Sequence, residues 1–140
     1  PLTPENLLTK KLHSEKFQIP SSTIRKIIQT KKEGGRVIAV GTTTVRTLES
    51  AAKTIIKNKD KITNIADSTE IFIQPGFKFK IVDSLITNFH LPSSSLMMLV
   101  AALIQDKGIN DGREKLLEIY KYAINKKYRF YSFGDAMLIL

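Results

Sequence analysis

Residues 37–44 read Val-Ile-Ala-Val-Gly-Thr-Thr-Thr, and this stretch constrains the fold more than any other part of the chain. Four apolar residues in a row suit a strand buried on both faces, as in a parallel sheet. Gly41 follows at once, then the hydroxyls Thr42, Thr43 and Thr44, then a helical pattern with Val45, Leu48, Ala52, Ile55 and Ile56 on one face. A strand that runs directly into a helix sets the expectation of a layered α/β domain.

The rest of the chain extends that pattern. Thr3-Pro4-Glu5 opens a short helix, with threonine as cap and proline at the first helical position. Residues 6–12 read as a loop with one turn, and Phe17-Gln18-Ile19 as a brief strand. Pro20-Ser21-Ser22 opens a helix with the stripe Ile24, Ile27, Ile28, ended by Gly34-Gly35. Residues 58–64 are a polar connection, residues 70–74 are rich in β-formers, and Pro75-Gly76 marks a turn. Phe77, Phe79 and Ile81 alternate with Lys78, Lys80 and Val82, which predicts a strand.

Leu85 and Ile86 anchor a polar loop over Thr87-Asn88-Phe89-His90-Leu91-Pro92, and Ser93-Ser94-Ser95 caps the next helix. Residues 96–104 are apolar all round, so that helix should be buried centrally. Residues 113–126 form an amphipathic helix with Leu116, Tyr120, Ala123 and Ile124 on one side. Tyr128 to Phe133 alternates around Arg129 and reads as a strand, Gly134-Asp135 interrupts it, and an apolar strand over 136–140 ends the chain. The sum is a three-layer α/β/α sheet domain over residues 1–140, with helices on both faces and no internal repeat. Four or five strands are few for four helices, and the chain opens on Pro1 rather than Met. It is expected to be a piece of a larger protein.

Composition narrows the chemistry. A chain of 140 residues without cysteine excludes disulfides, thiolate catalysis and cysteine-ligated metals. The longest apolar run, Leu96 to Ile104, is nine residues and too short to span a bilayer. The first twenty residues carry five charged side chains and no signal-peptide core, so a cytoplasmic protein is expected. The net charge of +9 suits a nucleic-acid partner, and suits a lysine-rich solvated surface equally well.

Four segments hold candidate chemistry. At Gly41–Thr44, free N–H groups and a helix dipole favour an anion, with Arg46 near the same end. The Gly-Lys-Ser/Thr element of a P-loop is absent, and the same residues also make a plain capped turn. Asp83, Thr87, Asn88 and His90 form the densest polar cluster. Extended alternation would place Asp83 and Thr87 on one face, and Asn88 and His90 on the other. His90 is a general base or acid by its ordinary pKa, or a satisfied structural histidine. Arg129 among Tyr128, Phe130, Tyr131 and Phe133 suits phosphate binding and base stacking, or an aromatic core strand. The fourth segment, His13-Ser14-Glu15, lacks the partners of a metal site or a serine hydrolase. Glu15 remains free to pair with an arginine or bind a ribose hydroxyl.

Several motifs, taken in order, resemble one family. They are His13-Ser14-Glu15, residues 36–50, Pro75-Gly76-Phe77, Val82-Asp83, Thr87 to Pro92 with Leu96 to Val100, and Tyr128 to Asp135. They resemble the C-terminal part of the S-adenosylmethionine:tRNA ribosyltransferase-isomerases of queuosine biosynthesis. Thr87 to Pro92 and Phe133-Gly134-Asp135-Ala136-Met137 are the most specific segments. The resemblance runs from about Asn6 onward and covers less than half of the family protein. An N-terminal portion, including most of a β-barrel inserted in the α/β domain, has no counterpart here.

That resemblance implies transfer and isomerisation of the ribosyl group of S-adenosylmethionine onto 7-aminomethyl-7-deazaguanine at the tRNA wobble position. Epoxyqueuosine-tRNA forms, and adenine and methionine leave. S-adenosylmethionine is then a consumed substrate, with no cofactor, no metal and no membrane involved, and the full-length enzyme is expected to be a monomer. On this reading His90 is base or acid, and Asp83 or Asp135 orients it or binds the aminomethyl ammonium. Thr42, Thr43, Thr44 and Arg46 hold the methionine carboxylate or ribose, with Glu49 in the same binding segment. Asn88 meets a base edge or a ribose hydroxyl, and Arg129 holds anticodon-loop phosphates. A non-catalytic tRNA-binding fragment and another nucleoside-handling α/β transferase are the alternatives.

Overall fold

The computed structural model describes residues 2–91 and 94–140. Pro92 of the motif and Ser93 of the expected helix cap lie outside the described residues.

The chain is mixed α/β, built on two small sheets. Helix α1 (Pro4–Thr9) starts at a capping box between Thr3 and Asn6. Strand β1 (Lys11–Ile19) follows, then helix α2 (Ser21–Lys32), which buries Ile24 and Ile27. Strand β2 (Ile38–Val40) leads through Gly41 into helix α3 (Thr42–Lys57). Gly41 has φ +87, a left-handed value that favours glycine. Strand β3 (Ile65–Ile71) pairs antiparallel with β1 in a separate ribbon. Strand β4 (Ser84–Asn88) pairs parallel with β2 and antiparallel with β5 (Ala136–Ile139), giving the order β2-β4-β5. Helix α4 (Ser95–Asp106) starts where the Ser94 hydroxyl accepts from the Met97 N–H, and it is buried as its sequence requires. Helix α5 (Gly112–Asn125) packs on α4 through Leu116, Tyr120 and Ala123.

The core gathers Val45, Leu48 and Ile55 of α3, Ala39 and Leu85 of the sheet, and Leu99, Val100 and Leu103 of α4. Ile56 and Ile124, expected on the inner faces of their helices, are exposed. β2 is parallel as expected but is not buried on both sides. Ala39 is buried, while Ile38 and Val40 face solvent. In register, Val40, Ile86 and Leu138 line up across the three strands on that open face.

Two expected strands are not strands. Residues 77–82 spend their N–H groups elsewhere: those of Lys80, Ile81 and Val82 donate to the Glu49 carboxylate. Residues 128–133 fold into a loop closed on itself, with left-handed backbone at Lys127 and Tyr131. Conversely β1 is much longer than the three residues expected, and β3 lies mostly over residues 65–69, to which the sequence assigned no element, meeting the segment read as rich in β-formers only at Glu70 and Ile71. Both strands are mostly polar and exposed, so no burial alternation marks them in the sequence.

Candidate functional site at the sheet edge

β2 and β4 run parallel, so the residues that follow them meet at one edge. Gly41 N–H donates to the Ile86 carbonyl at 2.8 Å, which ties the β2–α3 turn to β4. Asn88 pairs in register with Ala136, which brings the 129–135 loop to the same edge. Three of the four segments singled out in the sequence therefore converge at the C-terminal ends of the parallel strands, where open α/β sheets bind ligands.

His90 sits just beyond β4. Its Nε2 lies 2.8 Å from the Thr87 hydroxyl, and its backbone N–H donates to the Tyr120 hydroxyl at 2.6 Å. Nδ1 has no partner among the described residues. Thr87 and His90 thus meet, against the alternation that placed them on opposite faces, because the chain leaves the strand after Asn88. Burial lowers the His90 pKa and raises that of Tyr120. The imidazole borders a cleft of about 380 Å³ shaped by Asn88, Leu91, Ser94, Tyr131 and Ser132.

Among the described residues the His90 ring is hydrogen-bonded by Thr87, and neither Asp83 nor Asp135 touches it. Asp83 precedes β4, so the length of that strand, roughly 16 Å, separates it from His90. Its carboxylate accepts from Lys31 Nζ at 2.7 and 2.6 Å and from the Val37 N–H at 2.7 Å. Burial pushes the Asp83 pKa up, but those donors outweigh it and hold the carboxyl below its ordinary value. Asp135 is at the correct edge but is engaged by Arg129. It accepts from the Arg129 backbone N–H at 2.7 Å and from the guanidinium Nη2 at 3.0 Å. That guanidinium lowers the Asp135 pKa, and the carboxylate raises that of Arg129. Asn88 Nδ2 reaches the Gly134 carbonyl at 3.5 Å.

On α3, Thr42 is buried and the Thr44 hydroxyl donates to the Val40 carbonyl at 2.8 Å. No side chain caps the helix, so the N–H groups of its first turn, Thr43 included, have no intrahelical acceptor. Arg46 is buried on the next turn, its Nη1 2.8 Å from Glu15 Oε2 on β1. Glu15 therefore takes the arginine partner that was one of its two expected roles. Arg46 Nε and Nη2 are buried without an acceptor among the described residues. Buried donors are nearly always satisfied, and a guanidinium with two idle nitrogens is suited to an anion.

Glu49, less than one turn beyond Arg46, is directed away from this edge. Oε1 accepts from Ile81 and Val82 at 2.9 and 2.8 Å, and Oε2 accepts from Lys80 at 3.0 Å. Its carboxylate is committed to main chain, which makes it a clamp on the approach to β4.

Tyr120 and Lys31 are the residues that reading the sequence missed, and Thr87, read as part of the polar cluster, was given no role towards His90. The three-residue spacing of Thr87 and His90 was available as a signal. Tyr120 and Lys31 are ordinary helix residues whose partners are set by tertiary packing alone.

Comparison with known proteins matches this arrangement to one group. The family model described as "Queuosine biosynthesis protein" matches residues 1–139. The S-adenosylmethionine:tRNA ribosyltransferase-isomerase of Vesicomyosocius okutanii is 51% identical over 139 residues, covering 99% of this chain and 37% of that protein. The protein of the same name from Nostoc sp. is 51% identical over 140 residues, covering all of this chain and 32% of that one. The crystal structure of S-adenosylmethionine tRNA ribosyltransferase from Thermotoga maritima superposes with a TM-score of 0.74 at 47% identity, over 89% of this chain and 40% of that one. The chain thus spans about a third of the length of the curated relatives it matches. Its match to the family model over nearly every residue, with the convergent motifs at one sheet edge, establishes that the chain belongs to the queuosine biosynthesis protein family.

Proposed function

We propose that this chain supplies the His90 edge of an S-adenosylmethionine:tRNA ribosyltransferase-isomerase. The reaction moves the ribosyl group of S-adenosylmethionine onto 7-aminomethyl-7-deazaguanine at the wobble position of tRNA. The observation that carries this reading is an imidazole held by Thr87, its pKa lowered by burial, at the border of a cleft where three of the segments singled out in the sequence meet. With Nε2–H donating to the Thr87 hydroxyl, the Nδ1 lone pair faces substrate as a general base.

The proton it takes is the acidic one on the ribose 5′ carbon, beside the sulfonium. Adenine then leaves, and the imidazolium returns its proton to a ring nitrogen of the departing base. The aminomethyl nitrogen bonds to C1′ in place of adenine and passes a proton to the neutral imidazole, the deprotonated C5′ bonds to C1′ in place of the ring oxygen, and that oxygen displaces methionine from C5′ to close the epoxide. Arg46 Nε and Nη2 bind the methionine carboxylate, aided by the first turn of α3 with Thr42, Thr43 and Thr44. Asn88 meets a ribose hydroxyl or base edge through its Oδ1. Arg129 and its neighbouring lysines face the anticodon-loop phosphates, while Asp135 holds the loop that carries them. Asp83 and Glu49 act at a distance, as positioning residues for β4. S-adenosylmethionine is a consumed substrate here, and the place of action is the cytoplasm. Among the described residues no helix is long and apolar enough to cross a membrane.

The test is adenine release from S-adenosylmethionine in the presence of tRNA bearing 7-aminomethyl-7-deazaguanine. It is measured with this chain alone and with a full-length protein that contains it. His90→Ala should abolish release from the active form without unfolding it. Thr87→Val should lower kcat more than it raises KM, because orientation is lost and binding is kept. Release at the wild-type rate from a folded His90→Ala protein would refute the assignment.

A further inference from the structure

The aromatic residues around Arg129 divide into two sets. Phe130 packs on Phe89 and Tyr120, with ring centroids 5.1 and 5.7 Å apart, and Tyr128 lies 6.1 Å from Phe89. Phe130 joins the core, and Tyr128, though exposed, keeps a ring contact with Phe89. Tyr131 is exposed, and Phe133 is 97% exposed, more than any other large apolar side chain in the described residues.

That exposure does not come from a slack loop. The Asp135 N–H donates to the Arg129 carbonyl at 2.9 Å, the Gly134 N–H to Tyr131 at 2.9 Å, and the Tyr131 N–H to Phe89 at 3.1 Å. The Arg129–Asp135 pair closes the base of the loop. Gly134 lies so close that an added Cβ would sit 2.5 Å from the Phe130 carbonyl. Tyr131 holds a φ of +69, an uncommon conformation for a side chain of its size. A tightly bonded loop thus presents a phenyl ring to solvent. Tyr131 on the same loop borders the His90 cleft, and Lys126, Lys127 and Arg129 are exposed around it.

We propose that Phe133, with Tyr131 beside it, is a stacking platform for an unpaired nucleobase of the RNA whose neighbouring base enters the His90 cleft. This inference rests on the tRNA-substrate reading above. A preset aromatic ring amid cationic side chains fits single-stranded RNA, in which every base has a face to stack and every nucleotide a phosphate to pair. A protein surface covering this loop would gain from the ring but would have to desolvate the cations.

The experiment titrates the full chain with an anticodon stem-loop RNA carrying a fluorescent purine analogue next to the wobble position. Phe133→Tyr should bind and quench the fluorophore as the unaltered chain does. Phe133→Leu keeps an apolar side chain but no ring. It should bind about ten-fold more weakly, lose the quenching, and keep the same dependence of affinity on salt. Lys127→Ala should instead flatten that salt dependence while quenching persists at saturation. Thermal unfolding followed by circular dichroism should be unchanged in all three, since these side chains are at the surface. Equal binding and quenching by Phe133→Leu would overturn the stacking role and leave the RNA reading standing. So would a Phe133→Leu variant whose self-association changes in sedimentation while RNA binding does not, which would assign the loop to a protein contact. A folded, unaltered chain that binds no RNA would overturn both.

Discussion

Burial keeps the folded His90 from taking up a proton as readily as an unfolded histidine does. The acid limb of kcat/KM for adenine release should therefore lie below the ordinary histidine value of 6.5. The same shift acts on stability. The unfolded chain binds the extra proton more tightly, so stability falls as the pH drops below 6.5 and stops falling below the folded pKa. Asp83 has the opposite charge logic and the same outcome in a more acid window. Its folded pKa is depressed, so its contribution is complete above 3.8 and is lost as the pH falls through the folded value. Urea unfolding at a series of pH values should show two separate losses, the upper one absent in His90→Gln and the lower one absent in Asp83→Asn. A single loss surviving in both variants would show that neither group governs acid stability. At this scale the sequence marked His90, Arg46 and Glu15 by type. It could not show that Asp83 belongs to Lys31, because that pair joins residues 52 positions apart.

The elements owe their placement to two clamps. Glu49 ties α3 to the three backbone N–H groups that lead into β4, and those of Ile81 and Val82 would otherwise be buried donors without acceptors. Glu49→Gln leaves one acceptor oxygen and turns an amide NH2 towards N–H groups. It should cost about 2–3 kcal/mol in urea unfolding, and a loss below a few tenths would mean the loop re-pairs elsewhere. The second clamp is the close approach of α4 and α5. A Cβ on Gly112 would fall 2.0 Å from the Ala101 carbonyl oxygen. Gly112→Ala should force the helices apart and lower stability by about 1–3 kcal/mol, read from the shift in denaturant midpoint. The helices were legible because their 3.6-residue stripes report burial. The stretch 77–82 alternates like a strand, yet its hydrogen bonds go to a side chain 31 to 33 residues away.

At the scale of the whole molecule, Val40, Ile86 and Leu138 form an apolar row across the open face of the three-stranded sheet, with Val40 66% exposed. Such a patch favours association with another surface. The isolated chain should show a mass that rises with concentration in sedimentation velocity, and the double variant Val40→Lys, Leu138→Glu should return it to monomer. A monomeric mass at every concentration would show that the row does not pair with itself. The layered α/β class was readable from the alternation of apolar runs and amphipathic stripes. The open face was not, because a run such as Val37 to Val40 has the same composition whether or not its second face is covered.

What the sequence determined by itself was local and chemical. It determined the helices, the strand-to-helix turn at Gly41, the residue types able to move a proton or bind an anion, and the family through its motifs. Tertiary structure decided which of those groups meet. The parallel pairing of β2 with β4 brings Gly41–Thr44 to His90, and the antiparallel return of β5 brings the Arg129 loop beside them. It also removed Asp83 and Glu49 from the edge by giving their carboxylates to other partners. Hydrogen bonds and ion pairs act over a few ångströms in space with no regard for separation along the chain. Side-chain type is therefore written in the sequence, and side-chain partnership follows only from the fold.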